Sequence, residues 1–392
     1  MEQNQNNILY FARLNFRNKG TLFGIQQADR LLHSYIIGKT GTGKTTLLKT
    51  MLMQDIEQGR GLCLLDPHGD LVQSVFESIP EHRKKDVVYM DITDPKQPWA
   101  YNPLKKVPYE SRSLVASSII EVFKKLWVTA WGVKLEHILR FTLLALLDQP
   151  SAKVSDINKM LYDKAFRKKA IEHVVNPDVQ DFWKKEFPRY MYNDVLPVLN
   201  KIGSLLAYPA IKRVLVENTQ ELSFRRIMDE RKILLVNLSK GAVGEDVAQI
   251  LGSLLLTSIS SAAFSRVNVS EENRVPFFVY LDEFQNFSTL SIVNMLSELR
   301  KYKVGMCLAH QYMQQLEREI LDAVLGNVGT HISFRIDTMD ANIMAQKMFP
   351  QFEAVDFVNL PNYAIYLTLM IDGVPSRPFS ALTIDSSQIS KI

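Results

Sequence analysis

Residues 35–46 read Tyr35-Ile36-Ile37-Gly38-Lys39-Thr40-Gly41-Thr42-Gly43-Lys44-Thr45-Thr46. Three apolar residues run into a glycine-rich turn that ends in Lys-Thr and opens a helical pattern over Thr45–Glu57. This is the spacing of a phosphate-binding loop between a strand and a helix. Glycines let such a loop turn its backbone N–H groups inward onto an anion, and the helix N-terminus adds partial positive charge behind them. Lys44 is placed to reach the β and γ phosphates, and the Thr45 hydroxyl to hold Mg2+. Gly38, Thr40, Gly41, Thr42, Gly43, Lys44, Thr45 and Thr46 are the expected nucleotide contacts.

Around this loop, short apolar runs recur: Leu62–Leu65, Val87–Met90, Ile233–Val236, Phe277–Leu281, Gly305–Ala309, His331–Phe334 and Ala364–Met370. Most are continuously apolar rather than alternating, the pattern of strands buried on both faces of a parallel sheet. Helical patterns at Glu245–Phe264 and Leu290–Lys301 separate them, giving an α/β fold with a mostly parallel central sheet. Between about Pro103 and Arg226 the strand pattern stops. Ser111–Leu126, Lys134–Leu147, Ile157–Leu161, Lys164–Val174, Asp178–Lys185 and Tyr192–Leu206 show helical spacing, with Ser155 and Asp178 as expected N-caps. The expected organisation is an N-terminal strand or hairpin segment over 1–30 and a discontinuous motor domain over 31–103 and 227–382. An all-helical insertion spans 104–226, and a flexible tail spans 383–392.

Composition narrows the class. The 392 residues are 46% hydrophobic and 22% charged, ordinary for a globular chain, and Gly and Pro number only 17 and 16. The two cysteines, Cys63 and Cys307, lie far apart in apolar runs, which excludes a disulfide-stapled secreted scaffold and a cysteine-rich zinc site. They read as buried free thiols. A net charge of +4 permits a polyanionic partner without arguing for one. Met1–Asn7 is too polar for a signal peptide. The uncharged run Val247–Ser265 has the length of a membrane span but carries seven Gln, Ser or Thr residues. It reads as a buried helix, and a cytoplasmic protein is expected.

The second chemical signal is Phe277-Phe278-Val279-Tyr280-Leu281-Asp282-Glu283, an apolar strand that delivers two carboxylates at its C-terminal end, where α/β sheets bind ligands. Asp282 suits the outer coordination of Mg2+, and Glu283 would polarise a water for in-line attack on the γ phosphate. A kinase or G protein needs no carboxylate base beside its Mg2+ aspartate, whereas a hydrolase does. The Asn-Lys-x-Asp guanine-reading pattern is missing, so ATP is the expected nucleotide. The run Gly305–Ala309 leads into His310-Gln311, and Gln311 is a candidate γ-phosphate sensor. Arg300 and Arg335 are candidates for a cation that reaches a neighbour's ATP. Asp66-Pro67-His68-Gly69-Asp70 is either a metal or phosphate contact or a structural turn.

Taken in order, these segments resemble the HerA–FtsK superfamily of hexameric motor ATPases, closest to conjugative coupling proteins with a helical insertion. The likeness rests on residues 36–45, Leu65-Asp66-Pro67-His68-Gly69-Asp70-Leu71, Leu281-Asp282-Glu283-Phe284-Gln285-Asn286-Phe287, Leu299-Arg300-Lys301-Tyr302 and Leu308-Ala309-His310-Gln311. It implies a RecA-like motor, a helical domain at the cytoplasmic mouth of a homo-hexameric ring, and ATP-driven pumping of DNA through the channel. It also implies that Arg300 is the arginine finger. Coupling proteins carry N-terminal membrane helices, whereas about thirty polar-to-mixed residues precede the phosphate loop here. The expectation is a protein that docks on a separate membrane-channel protein or relaxase, peripheral to the inner membrane, or works with a nuclease in repair or defence. A secretion or pilus-assembly ATPase acting on a protein partner is the alternative. Basic pairs at Lys124-Lys125, Arg167-Lys168-Lys169, Lys184-Lys185, Arg225-Arg226 and Arg300-Lys301, with Trp127 beside the first and Trp183 beside the third, are the candidate DNA contacts, against a default of solvated helix faces and core packing.

Overall fold

A computed structural model describes residues 7–15, 20–127, 130–385 and 388. It divides into two compact units. One comprises Met1–Asp91, Phe224–Ser239 and Ala262–Ile392, the other Ile92–Ser223 and Lys240–Ser261.

Among the described residues the first unit is built on eleven strands. In chain order these are β1 (Ile8–Leu14), β2 (Leu22–Gln26), β3 (Ser34–Ile37), β4 (Gly61–Asp66), β5 (Val87–Asp91), β6 (Ile233–Asn237), β7 (Phe277–Leu281), β8 (Val304–His310), β9 (Thr330–Ser333), β10 (Ala364–Thr368) and β11 (Phe379–Thr383). The sheet order is β2-β1-β11-β10-β9-β3-β8-β7-β4-β6-β5. From β9 to β5 every neighbour pairs in parallel, while β10, β11, β1 and β2 extend the sheet antiparallel. Strands β3, β4, β7 and β8 are buried along their whole length. That is why their sequences show no polar alternation. The expected strand Ala364–Met370 stops at Thr368, and Met370–Ile371 turns away to pair with Val374–Pro375. Helix α1 (Lys44–Glu57) leaves the glycine loop and α2 (Asp70–Glu77) follows β4.

The second unit holds α3 (Tyr109–Leu126), α4 (Val133–Leu147), α5 (Asp156–Tyr162), α6 (Lys164–Glu172), α7 (Pro177–Asp181) and α8 (Tyr192–Ala207). It is not entirely helical, because Trp99–Ala100 pairs in parallel with Gln220–Glu221. Residues 240–261, which include most of the long helix α9 (Glu245–Phe264) expected within the motor, cluster with this unit. Of the two expected caps, Ser155 holds its position and Asp178 is corrected. Asn176 caps α7, its Oδ1 accepting from Asp178 N at 2.8 Å, so Asp178 lies inside the first turn. Ser155 stands at the cap of α5 without a capping hydrogen bond.

Among the described residues one helical stretch, Glu245–Asn268, is long and apolar enough to cross a membrane, but most of its apolar part is buried within the protein. Two of its hydroxyls bond back within the helix, Thr257 Oγ1 donating to Ser253 O and Ser261 Oγ to Thr257 O, and Ser258 Oγ pairs with the Tyr101 hydroxyl at 2.8 Å. Cys63 and Cys307 are buried free thiols. Of the expected tail, 386–387 and 389–392 lie outside the described residues, as does the polar start at 1–6.

Candidate functional site

All parallel strands point their C-terminal ends the same way, so the segments that follow β3, β4, β7, β8 and β9 meet along one edge of the sheet. The glycine loop leaves β3 there. Its base is laced to the neighbouring strand ends, Gly38 N donating to His310 O (3.4 Å) and Lys39 N to Arg335 O (2.8 Å). Gly41 and Gly43 have φ of +77° and +121°, the region that favours glycine. A Cβ on Gly38 would lie 2.5 Å from Phe334 Cβ. Lys44 opens α1 and folds back over the loop, its Nζ donating to Gly38 O at 2.5 Å and Lys39 O at 3.2 Å. Burial lowers the pKa of this ammonium, opposed by Glu283 and Asp282.

Strand β8 separates the loop strand from β7, which ends in Asp282 and Glu283. Asp282 N donates to Leu65 O at 3.2 Å, holding the pair beside Asp66 at the end of β4. Glu283 adopts a left-handed conformation, φ 46° and ψ 52°. Its carboxylate accepts from Gln311 Nε2 at 2.7 Å on Oε1 and from Gln285 Nε2 at 2.8 Å on Oε2. Gln311 in turn accepts from Thr40 Oγ1 at 2.9 Å. A continuous chain of hydrogen bonds therefore joins the glycine loop to Glu283.

Asp282 is pushed up to about 7, first by burial and then by the negative charge of Asp66 and Glu283, with Lys44 opposing. Three carboxylates crowd one end of the sheet. The oxygen donors present, Asp282 and the exposed Thr45 hydroxyl, fit a hard divalent cation. Among the described residues no group of three or more His, Cys, Asp or Glu is arranged to hold a metal unaided. Such an ion would have to share its coordination with phosphates and water.

A cavity of about 390 Å³ lies between these elements. Thr40, Gly41, Gly43, Lys44, Thr45 and Thr46 line its loop side, and Asp66, His68, Asp70, Asp282, Glu283, Gln311 and Tyr363 its other walls. Gly38 and Thr42 stand behind that lining: Thr42 is buried, its Oγ1 donating to Lys39 O at 2.7 Å. Asp66 braces its own turn, Oδ1 accepting from His68 N (2.8 Å) and Oδ2 from Val72 N (3.1 Å), while His68 is exposed at the rim.

The two arginines separate. Arg300 is exposed and precedes β8, whereas Gln311 follows it; seven residues at about 3.3 Å each put roughly 23 Å of strand between the two ends. Arg300 is thus remote from the site of its own chain. Arg335 lies beside the loop, but its guanidinium is engaged with Leu360 O (3.2 Å) and Asn362 Oδ1 (2.9 Å).

The sequence alone assigns no role to two residues of the site. Gln285 belongs to the segment Leu281–Phe287, but its hydrogen bond to Glu283 depends on the loop geometry. Tyr363 comes from a loop 81 residues beyond Asp282. The candidate DNA contacts are mostly engaged within their own units. Lys185 pairs with Asp181, Arg225 with Asp229 and Arg226 with Glu230. Trp183 is 3% exposed and packs against Phe182 and Phe187, and Trp127 lies against Phe123 and under Lys201.

A glycine loop between strand and helix, with a paired Asp-Glu on the next strand but one, defines a RecA-like P-loop NTPase fold. Residues 20–353 match the family model of the type IV secretion-system coupling protein DNA-binding domain. The chain belongs to that family. Similar solved structures include the plasmid coupling protein TrwB with a non-hydrolysable ATP analogue (15% identity, TM-score 0.66, covering 97% of this chain and 94% of that one). TrwB with ADP and Mg2+ gives 15% identity and TM-score 0.63, covering 96% and 94%. VirB4 of Thermoanaerobacter pseudethanolicus gives 15% identity and TM-score 0.64, covering 98% of each chain. At this identity the likeness is one of fold. No curated protein matched the sequence.

Proposed function

We propose that the chain is an ATP hydrolase that uses Mg-ATP to move DNA through a homo-hexameric ring of its own copies. The observation that carries this reading is the hydrogen-bonded chain from Thr40 through Gln311 to Glu283, bordering the cavity of the glycine loop. A nucleotide in that cavity gives each residue a task. Loop N–H groups from Gly41 to Thr46 bind phosphate oxygens, Thr42 fixes the loop's shape from behind, and Lys44 gives up its hold on Gly38 O to reach the β and γ phosphates. Thr45 and Asp282 hold Mg2+, which supplies charge neutralisation at the phosphates. Glu283 accepts the proton of the attacking water. Gln311, already bonded to Glu283, is within reach of that water and of the γ phosphate. It would report the nucleotide's state along β8.

Arg300 belongs at the far end of β8 in this scheme, where it completes the site of a neighbouring copy in the ring. Activity then depends on assembly. The motor comprises the sheet unit, and the unit built on Ile92–Ser223 is the one that meets a partner. Membership of a DNA-binding family supports DNA as the substrate that is moved. A cytoplasmic protein recruited to a membrane channel by a protein partner fits the same scheme.

The test measures ATP turnover against protein concentration, with and without DNA. Turnover should rise more steeply than linearly with concentration and be stimulated by DNA in a salt-dependent manner. Concentration-independent turnover with no response to DNA would overturn the proposal, and stimulation by a protein substrate instead would replace DNA as the cargo.

A further inference from the structure

Tyr363 stands at the rim of the cavity with a backbone conformation that a bulky residue rarely adopts, φ +66°. Such a conformation persists only where the surroundings over-determine it, and it costs stability wherever it occurs. Here both backbone groups are pinned. Tyr363 N donates to Thr42 O of the glycine loop at 2.8 Å, and Tyr363 O accepts from Thr383 N at 2.9 Å and Thr383 Oγ1 at 3.1 Å. A Cβ built on Gly43 would meet Tyr363 Cδ1 at 2.9 Å, so the ring packs directly against the last glycine of the loop. Yet the residue is 50% exposed and lines the cavity.

Glycine or asparagine would take this φ more easily, and either could make the same two backbone contacts. What tyrosine adds is a flat, uncharged aromatic face. The rest of the cavity is lined by loop amides, hydroxyls, a lysine, carboxylates and Gln311, which suit phosphates and a cation, with Leu71 and His68 beside the acidic side that follows β4. Tyr363 is the one aromatic residue of that lining that packs directly on the glycine loop.

We propose that Tyr363 binds the nucleotide's base, its ring serving as the stacking platform for the purine whose phosphates lie in the glycine loop. This rests on the reading that the loop binds a nucleoside triphosphate. Stacking on an aromatic face depends on the ring area of the base and little on its hydrogen-bonding edge. The site should therefore favour purines over pyrimidines while separating ATP from GTP only weakly.

The experiment compares ATP with inorganic tripolyphosphate, each titrated into the full chain by calorimetry. Tyr363→Ala should weaken ATP about tenfold, as loss of one stacked base does, and leave tripolyphosphate unchanged. In turnover the loss should appear in KM and not in kcat. Tyr363→Phe should match the wild type within about twofold, because the ring face is retained. Tyr363→Gly relieves the backbone conformation, so it should melt no lower than the wild type while binding ATP as weakly as Tyr363→Ala. Equal weakening of ATP and tripolyphosphate would make Tyr363 a support for the loop, and unchanged ATP affinity would deny it any part; either overturns the proposal. Failure of the wild type to bind either ligand would sink the nucleotide reading itself, and the platform with it.

Discussion

Replacing Asp55 by asparagine should loosen the join between the two halves of the site. Asp55 lies near the end of α1, the helix that begins with Lys44, and is completely buried. Its carboxylate accepts from Arg30 Nη1 and Nη2, both at 2.7 Å, from Arg60 Nη1 at 2.9 Å and from the Tyr280 hydroxyl at 2.6 Å. Arg30 also donates to the Tyr280 hydroxyl at 2.7 Å and lies 3.6 Å from the centroid of the Phe278 ring. Phe278 and Tyr280 belong to β7, the strand that delivers Asp282. One buried anion thus ties the far end of the loop helix to the strand carrying the acidic pair. The substituted amide would have a single acceptor oxygen and would turn an N–H toward a guanidinium, leaving Arg30 buried without its counter-charge. Breaking a buried pair in this way costs about 3–5 kcal/mol. At roughly 2–4 °C per kcal/mol for a unit of this size, the melting midpoint should fall by roughly 6–20 °C. Urea unfolding followed by circular dichroism is the assay, with an unchanged slope required for the comparison. The double variant Arg30→Met with Asp55→Leu should lose less than the sum of the single variants, since an apolar replacement removes both charges together.

The same network sets an acid limit. Burial alone would raise the Asp55 carboxyl, but Arg30, its hydrogen bonds and Arg60 outweigh it and hold the group below its ordinary value. A depressed carboxyl contributes stability that is present above the ordinary carboxylate range and lost as pH falls through the folded value. Between pH 6 and pH 3 the wild type should therefore lose more stability than Asp55→Asn. A destabilisation under about 1 kcal/mol, within the ordinary range for surface pairs, together with parallel acid curves, would refute the assigned role.

Gln311→Leu should lower kcat by about ten- to a hundredfold, the worth of a hydrogen bond to a charged group, while ATP affinity stays within about threefold; loss of binding instead would make Gln311 a ground-state contact. Gln285→Leu should cost about tenfold in single-turnover rate and nothing further in a Glu283→Gln background, because it acts through Glu283; additive losses would show a separate, structural effect. Arg300→Ala and Glu283→Gln should each be inactive alone and regain turnover when mixed, one copy supplying the arginine and the other the carboxylate. No recovery on mixing would remove Arg300 from the neighbouring site.

The parts of the fold that were legible in the sequence are those where burial leaves no choice of residue. β3, β4, β7 and β8 are buried on both faces, so each is a bare apolar run that cannot be mistaken for a surface element. The glycine loop announces itself because positive φ at Gly41 and Gly43 favours glycine over other residues. Helix ends were less legible. Asn176 and Asp178 are both good capping residues two positions apart, and only the backbone conformation decides between them. Chain order places helix α9 within the motor segment 227–382, whereas most of it clusters with the other unit, a matter of packing that spacing does not encode. The placement of Gln285 and Tyr363 was not legible for another reason. Gln285 meets Glu283 across a tight turn and Tyr363 meets Gly43 across 320 residues of chain, and spacing fixes neither contact.

The most direct test of the central claim is single-turnover hydrolysis and equilibrium binding of Mg-ATP by Glu283→Gln. If the acidic pair faces the terminal phosphate, this variant should bind ATP within about threefold of the wild type and hydrolyse it at least about a hundredfold more slowly, trapping the intact nucleotide. Turnover near the wild-type rate would contradict the account.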